Sequence, residues 1–217
     1  MLVEAVLFDL DGTLADTARD LAFALNEQRR LHGLPPLPFE AIRPVASHGA
    51  RGLLALGFDL RPDTPEFAAM RSEFLELYGR HLCDQTVLFP GMEETLAALE
   101  RRGLRWGVVT NKPARFTLPL LHALGLASRA ACIVSGDTTA NAKPHPEPLL
   151  EAARQLVLPS RNCLYVGDAQ RDVAAARAAG MPALVARYGY LAAEDEPTAW
   201  GALGLIDTPA DLLHWLA

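Results

Sequence analysis

Five short, continuous apolar runs, at residues 3–8, 106–109, 131–134, 163–166 and 182–186, alternate with segments of helical periodicity. A strand that is apolar at every position, rather than at every second one, is buried on both faces, and helices between such strands make the sheet parallel. The chain is therefore expected to be α/β, with a Rossmann-like parallel sheet as its core. Helices are expected at 92–102, 116–124, 147–156 and 173–179, with a last one at 210–216. Between the first two strands lies a long interval, 16–88, with no convincing strand and with amphipathic stretches at 21–31, 52–58 and 67–82. Pro35, Pro36, Pro38, Pro44, Pro62 and Pro65 break it into short helices, because proline removes a backbone donor and clashes with the preceding turn. It reads as an inserted all-helical domain of residues 16–88, set into a core made of residues 1–15 and 89–217.

The polar residues that follow the strands narrow the chemistry. Asp9 follows Val6-Leu7-Phe8, Thr110 follows Val108-Val109, and Asp168 follows Tyr165-Val166-Gly167. Carboxyl ends of parallel strands share one edge of the sheet, which is where open α/β sheets bind ligands. Taken alone, Asp9 and Asp11 read equally well as turn formers, with Gly12 supplying an unusual φ and Thr13 capping the turn. Their company favours a phosphoryl-transfer site: Thr110 and Asn111, Lys143 in a loop stiffened by Pro144, Pro146 and Pro148, and Asp168 with Asp172 four residues on. His145 and Asp137 fall near the same edge, and each is accounted for as a loop or helix-start residue.

Composition removes several other classes. The formal charge of −6 comes from interspersed residues, so no basic stripe offers itself to nucleic acid or anionic lipid. No apolar run approaches the roughly 20 residues that span a bilayer, and the first strand carries no signal-like flank, so a cytoplasmic protein is expected. Three scattered cysteines suggest neither a disulfide framework nor a zinc site, and the six histidines have no metal-ligand spacing. A monomer or homodimer is expected.

The whole arrangement resembles the haloacid dehalogenase superfamily. Its four motifs stand in order as Asp9-Leu10-Asp11-Gly12-Thr13, Thr110-Asn111, Lys143-Pro144 and Gly167-Asp168-Ala169-Gln170-Arg171-Asp172, and the helical insert resembles the cap of many members. The resemblance implies that Asp9 attacks phosphorus to give an aspartyl phosphate, dividing one difficult hydrolysis into two displacements. It implies that Asp11 protonates the departing alkoxide and then deprotonates the attacking water. Carboxylates crowded beside a phosphate dianion need a hard cation, and Mg²⁺ held by Asp9, the backbone carbonyl of Asp11 and Asp168 is expected. Thr110 would donate its hydroxyl and Asn111 its backbone N–H to the phosphoryl oxygens, while Lys143 neutralises their charge. Asp172 is expected to support the metal from behind its ligands.

The cap is expected to choose the substrate and exclude water. Its stretch Ala46-Ser47-His48-Gly49-Ala50-Arg51-Gly52 opens a helix with hydroxyl, imidazole and guanidinium donors, so Ser47, His48 and above all Arg51 are candidate contacts to a carboxylate or a sugar. Within the superfamily the chain looks like the phosphoglycolate phosphatase branch. Its tail, Arg187-Tyr188-Gly189-Tyr190 with Ala199-Trp200-Gly201, is similar to phosphatases that act on N-acetylmuramic acid 6-phosphate. A small carboxylated phosphate ester is the expected substrate, with the sugar acid narrowly ahead of 2-phosphoglycolate and cell-wall recycling as the implied pathway. A dehalogenase fits less well because Asp11 and Asp168 are retained, and a phosphomutase would differ in how well its cap keeps water out.

Overall fold

A computed structural model describes residues 2–216. Its centre is a six-stranded, all-parallel sheet formed by β1 (Ala5–Phe8), β4 (Arg105–Val109), β5 (Ile133–Val134), β6 (Cys163–Gly167), β7 (Ala183–Ala186) and β8 (Gly204–Ile206), in the order β5-β4-β1-β6-β7-β8. β1 is fully buried, and its residues alternate between two cores: Val6 and Phe8 join one cluster, Ala5 and Leu7 the other. That is the two-sided burial expected of continuous apolar strands. Register places Phe8 beside Val108 and Val166, so the residues that follow these three strands emerge together.

Five of the six strands coincide with the apolar runs of the sequence. β8 does not: it is three residues long, begins at a glycine and is only partly buried, and so leaves no apolar signature. The helices α5 (Met92–Arg101), α6 (Ala114–Ala123), α7 (Glu147–Gln155) and α8 (Gln170–Ala178) lie where periodicity puts them, within about a turn at each end. The terminal segment Pro209–Leu216 is wound as a 3₁₀ helix rather than an α-helix.

The helical interval contains α1 (Ala18–Leu31), α2 (Phe39–Ile42), α3 (Gly49–Phe58) and α4 (Phe67–Arg80). α1 packs on α3 and α4 through Leu21 and Leu25, and Gln28 reaches across to the Met70 carbonyl and the Glu73 carboxylate, both at 2.8 Å. At its two ends the interval is not wholly without strand. β2 (Ala15–Asp16) and β3 (Val87–Leu88) pair antiparallel, two residues each, too short to register in a sequence pattern. The buried Asp20 carboxylate ties the same two crossings together, accepting the N–H groups of Gln85 and Thr86 and the Thr86 hydroxyl.

Candidate active site

The loop after β1 carries Asp9, which is 3% exposed and whose Oδ1 accepts the N–H of Leu10 at 2.8 Å. Lys143 Nζ lies 3.0 Å from the same oxygen and 2.8 Å from Asp172 Oδ1, and donates to the Val109 carbonyl and the Tyr165 hydroxyl. Its side chain is wholly buried, and its ammonium group is held by four oxygens. The Asn111 side chain fixes the Lys143 backbone from both sides, accepting its N–H and donating to its carbonyl, each at 2.9 Å. Asn111 therefore has a second task besides the backbone one expected of it: it places the lysine.

Asp168 and Asp172 approach Asp9 from the end of β6. Asp9, Asp168 and Asp172 offer oxygens that all lie within 4.8 Å of one another. Burial and the charges of Asp172 and Asp9 push the Asp168 carboxyl up to about 7, and burial raises Asp9 too, with Lys143 opposing. For Asp172, burial also works against ionisation, but Lys143 and Arg171 outweigh it and its pKa is lowered. Three buried carboxyls, two of them reluctant to ionise beside the others, form an all-oxygen donor set that a hard divalent cation would neutralise. Gly12 lets this happen: its φ is +83°, and a Cβ there would overlap the Asp168 carboxylate and stand 2.8 Å from the Tyr190 ring.

Asp11 projects from the same turn. Its Oδ1 accepts a hydrogen bond from Thr17 Oγ1 at 2.7 Å and pairs with Lys112 Nζ at 2.8 Å. Thr110, 2% exposed, accepts the Lys112 N–H on its hydroxyl oxygen at 3.2 Å. The helical interval faces these residues across a cavity of about 780 Å³, lined on one side by Asp9, Asp11, Thr110 and Lys143 and on the other by Ser47, His48 and Arg51. Among the three expected contacts of the insert, Arg51 is exposed within the cavity and His48 has its imidazole pKa lowered, first by desolvation and then by the Arg171 charge. The Ser47 hydroxyl is committed to the core instead, donating to Asp168 Oδ2 at 2.6 Å. Arg171 Nη2 donates to the Ser47 carbonyl at 2.7 Å, so one loop of the insert is fastened to the metal-type cluster at two points.

Asp137 and His145 stand apart. Asp137 accepts the Ala114 N–H at the start of α6, and the exposed His145 ring accepts the Glu147 N–H at the start of α7. Sequence reasoning assigned no role to Lys112, Arg171 or Tyr190. Lys112 directly follows Thr110-Asn111, and Arg171 sits inside the last motif, so both had a positional signal. Tyr190 Oη, by contrast, takes the Ala18 N–H and donates to Asp16 from more than 170 residues away, and nothing in the local sequence announces that.

Comparison with known proteins gives a consistent picture. An N-acetylmuramic acid 6-phosphate phosphatase of Pseudomonas aeruginosa is 44% identical over 216 residues, covering 100% of this chain and 96% of its own. A phosphoglycolate phosphatase of Xanthomonas campestris pv. campestris is also 44% identical, over 208 residues, 96% of this chain and 94% of its own. Among solved structures, a predicted phosphoglycolate phosphatase from Haemophilus somnus 129pt superposes with a TM-score of 0.87 at 30% identity, over 99% of this chain and 98% of that one. The family of haloacid dehalogenase-like hydrolases matches residues 3–180, the stretch that holds every one of these buried acids and Lys143, and the chain belongs to that family.

Proposed function

We propose that this chain is a Mg²⁺-dependent phosphomonoesterase that works through an aspartyl phosphate on Asp9, with N-acetylmuramic acid 6-phosphate as its substrate. The observation that carries the reading is the contact of Lys143 Nζ with Asp9 Oδ1 at 3.0 Å, with Asp11 two residues along facing the same cavity. Lys143 and the Leu10 N–H both engage Oδ1, which leaves the attack on phosphorus to Oδ2. Thr110 and the Asn111 backbone N–H donate to the phosphoryl oxygens, and Lys143 balances charge on the phosphate and on the phospho-enzyme alike. Asp11, steadied through Oδ1 by Lys112 and Thr17, has Oδ2 free to hand a proton to the leaving alkoxide and to take one back from the water of the second step.

Asp9, the Asp11 carbonyl and Asp168 would hold the Mg²⁺, with Asp172 linking that set to Lys143. When bound, the cation supplies neutralisation of the phosphate and of the carboxylates beside it. Residues 16–88 act as the cap over this chemistry, with Ser47 and His48 just before α3 and Arg51 in its first turn lining the cavity. A small phosphate ester carrying a carboxylate suits a cavity whose upper wall bears arginine. The Xanthomonas relative, at equal identity, favours 2-phosphoglycolate as the second reading.

The test is phosphate release from N-acetylmuramic acid 6-phosphate and from 2-phosphoglycolate, each with Mg²⁺ and with chelator. Release from the sugar acid at a kcat/KM at least tenfold higher, lost on chelation, is the expected result. A preference for 2-phosphoglycolate moves the chain to the second reading, and no metal-dependent release from any phosphomonoester overturns the proposal.

A further inference from the structure

At the phosphate end of the cavity both lysines already have carboxylate partners. Lys143 is committed to Asp9 and Asp172, and Lys112 to Asp11. The cap wall is different: Arg51, Arg61 and Arg71 line the cavity from α3, the following loop and α4, three separate stretches of chain. Among the described residues Arg51 and Arg71 make no ion pair, and Arg61 reaches only Asp63, at 3.8 Å between side chains each 78% exposed, a contact worth little. In a chain of net charge −6, cationic groups left over in one cavity wall call for an anion beyond the phosphate.

α4 gives that anion a position. Arg71, Phe74, Leu75 and Tyr78 all line the cavity, and their spacing of i, i+3, i+4 and i+7 puts them in one stripe along the helix. Tyr78 marks the chemical end, because Lys112 Nζ lies over its ring, 4.5 Å from the centroid, while bonding Asp11. Arg71 is seven residues away, about 10 Å along the axis at about 1.5 Å per residue. Helical side chains lean toward the N-terminus, so its guanidinium is directed away from the chemistry rather than back over it. Phe74 and Leu75 form an apolar span between the two ends.

We infer that Arg71, assisted by Arg61, receives a carboxylate held across a sugar-sized body from the scissile phosphate, with Phe74 and Leu75 packing on that body. This inference rests on the phosphatase reading above and deepens it. In 2-phosphoglycolate the carboxylate is bonded to the carbon that carries the ester oxygen, so with its phosphate at Lys143 it falls far short of Arg71. In N-acetylmuramic acid 6-phosphate the lactyl ether is on C3 and the phosphate on O6, so C3, C4, C5 and C6 stand between the two anionic arms. The α4 stripe thus acts as a ruler that separates the two substrates by length.

The experiment compares N-acetylmuramic acid 6-phosphate with N-acetylglucosamine 6-phosphate, the same sugar phosphate without the lactyl ether, in the full-length enzyme and in Arg71→Ala, Arg71→Gln and Arg61→Ala. Both arginines are exposed, so none of these changes touches the core. A charge-assisted hydrogen bond is worth about 1.5–3 kcal/mol, which is roughly 10- to 100-fold. The expected result is a loss of that size in kcat/KM for the carboxylated sugar in both Arg71 variants, a smaller loss for Arg61→Ala, and a change under threefold for N-acetylglucosamine 6-phosphate. Equal losses on the two sugars, no loss on either, or an unaltered enzyme indifferent to the lactyl group would each overturn the inference while leaving the phosphatase reading intact. An unaltered enzyme that hydrolyses neither sugar nor a simple aryl phosphate would overturn both.

Discussion

Gly12 has no side chain to offer, yet the site depends on it. Its left-handed φ of +83° turns the chain between Asp11 and Thr13, and the space that a Cβ would fill is occupied by Asp168 and the Tyr190 ring. Gly12→Ala therefore combines a strained backbone, costing about 1–3 kcal/mol, with displacement of a candidate metal ligand. The expected outcome is a lower melting temperature together with loss of any Mg²⁺-induced stabilisation, checked by thermal melts with and without the ion. An unshifted melt that still responds to Mg²⁺ would contradict the geometry. At this scale the sequence was informative wherever residues lie within a motif: Asp9, Asp11, Thr110, Asn111, Lys143, Asp168 and Asp172 all meet at one edge. It was silent on the pairing of Lys112 with Asp11 and on the Asn111 clamp around Lys143, since both are long-range contacts between polar side chains that leave no periodicity.

Between elements, the question is what holds the helical insert to the sheet. Two chain crossings connect them, stapled by the two-residue β2–β3 ribbon and the buried Asp20 carboxylate. Further ties run between the core and the segment between α2 and α3. Arg43 donates to the carbonyls of Gly189 at 3.1 Å and Tyr188 at 3.2 Å while its guanidinium lies 5.0 Å from the Tyr190 ring centroid, and Arg171 holds the Ser47 carbonyl. Tyr190 in turn bonds Asp168 through its N–H and Asp16 through its hydroxyl, so one residue spans the acidic cluster and the first crossing. Arg43→Ala removes two charge-assisted hydrogen bonds worth about 1.5–3 kcal/mol each at most. Amide hydrogen exchange across residues 43–49 should then quicken by about tenfold or more, with KM raised more than kcat is lowered. Unchanged exchange there would mean that Arg43 does not restrain the insert. The longer helices and the interior strands were legible because they are long or continuously apolar, whereas the four-residue α2 was not. β2, β3 and β8 were not, because two or three half-buried residues carry too little pattern to distinguish a strand from a loop.

Over the whole molecule, charge is unevenly arranged. A chain of net −6 concentrates three buried acids at the carboxyl edge of its sheet, and one of them, Asp9, lines a cavity of about 780 Å³ whose other wall carries Arg51 and Arg71, which make no ion pair among the described residues. Apolar periodicity made the sheet predictable and strand order made the convergence predictable, but the dimensions of that cavity depend on how α3 and α4 pack, which no local pattern encodes. No helix among the described residues is long and apolar enough to cross a membrane. Because Asp9 and Asp168 ionise reluctantly without a cation, Mg²⁺ should stabilise the fold as a whole. Binding at 100 times Kd contributes about 2.7 kcal/mol, and a chain of this length gains about 2–4 °C per kcal/mol, so a rise of roughly 5–10 °C is expected, absent in Asp168→Asn. Equal melting in Mg²⁺ and in chelator would contradict the metal site.

The central claim is covalent, and it is tested most directly by trapping the intermediate. Borohydride added during turnover of N-acetylmuramic acid 6-phosphate reduces an aspartyl phosphate to homoserine, which mass spectrometry of the digested chain locates. The expected result is homoserine at residue 9 only when substrate is present, with Asp9→Asn giving neither the adduct nor turnover, a loss on the order of 10⁴-fold or more. Continued phosphate release with Asp9 unmodified, or with the label on another carboxylate, would contradict the account.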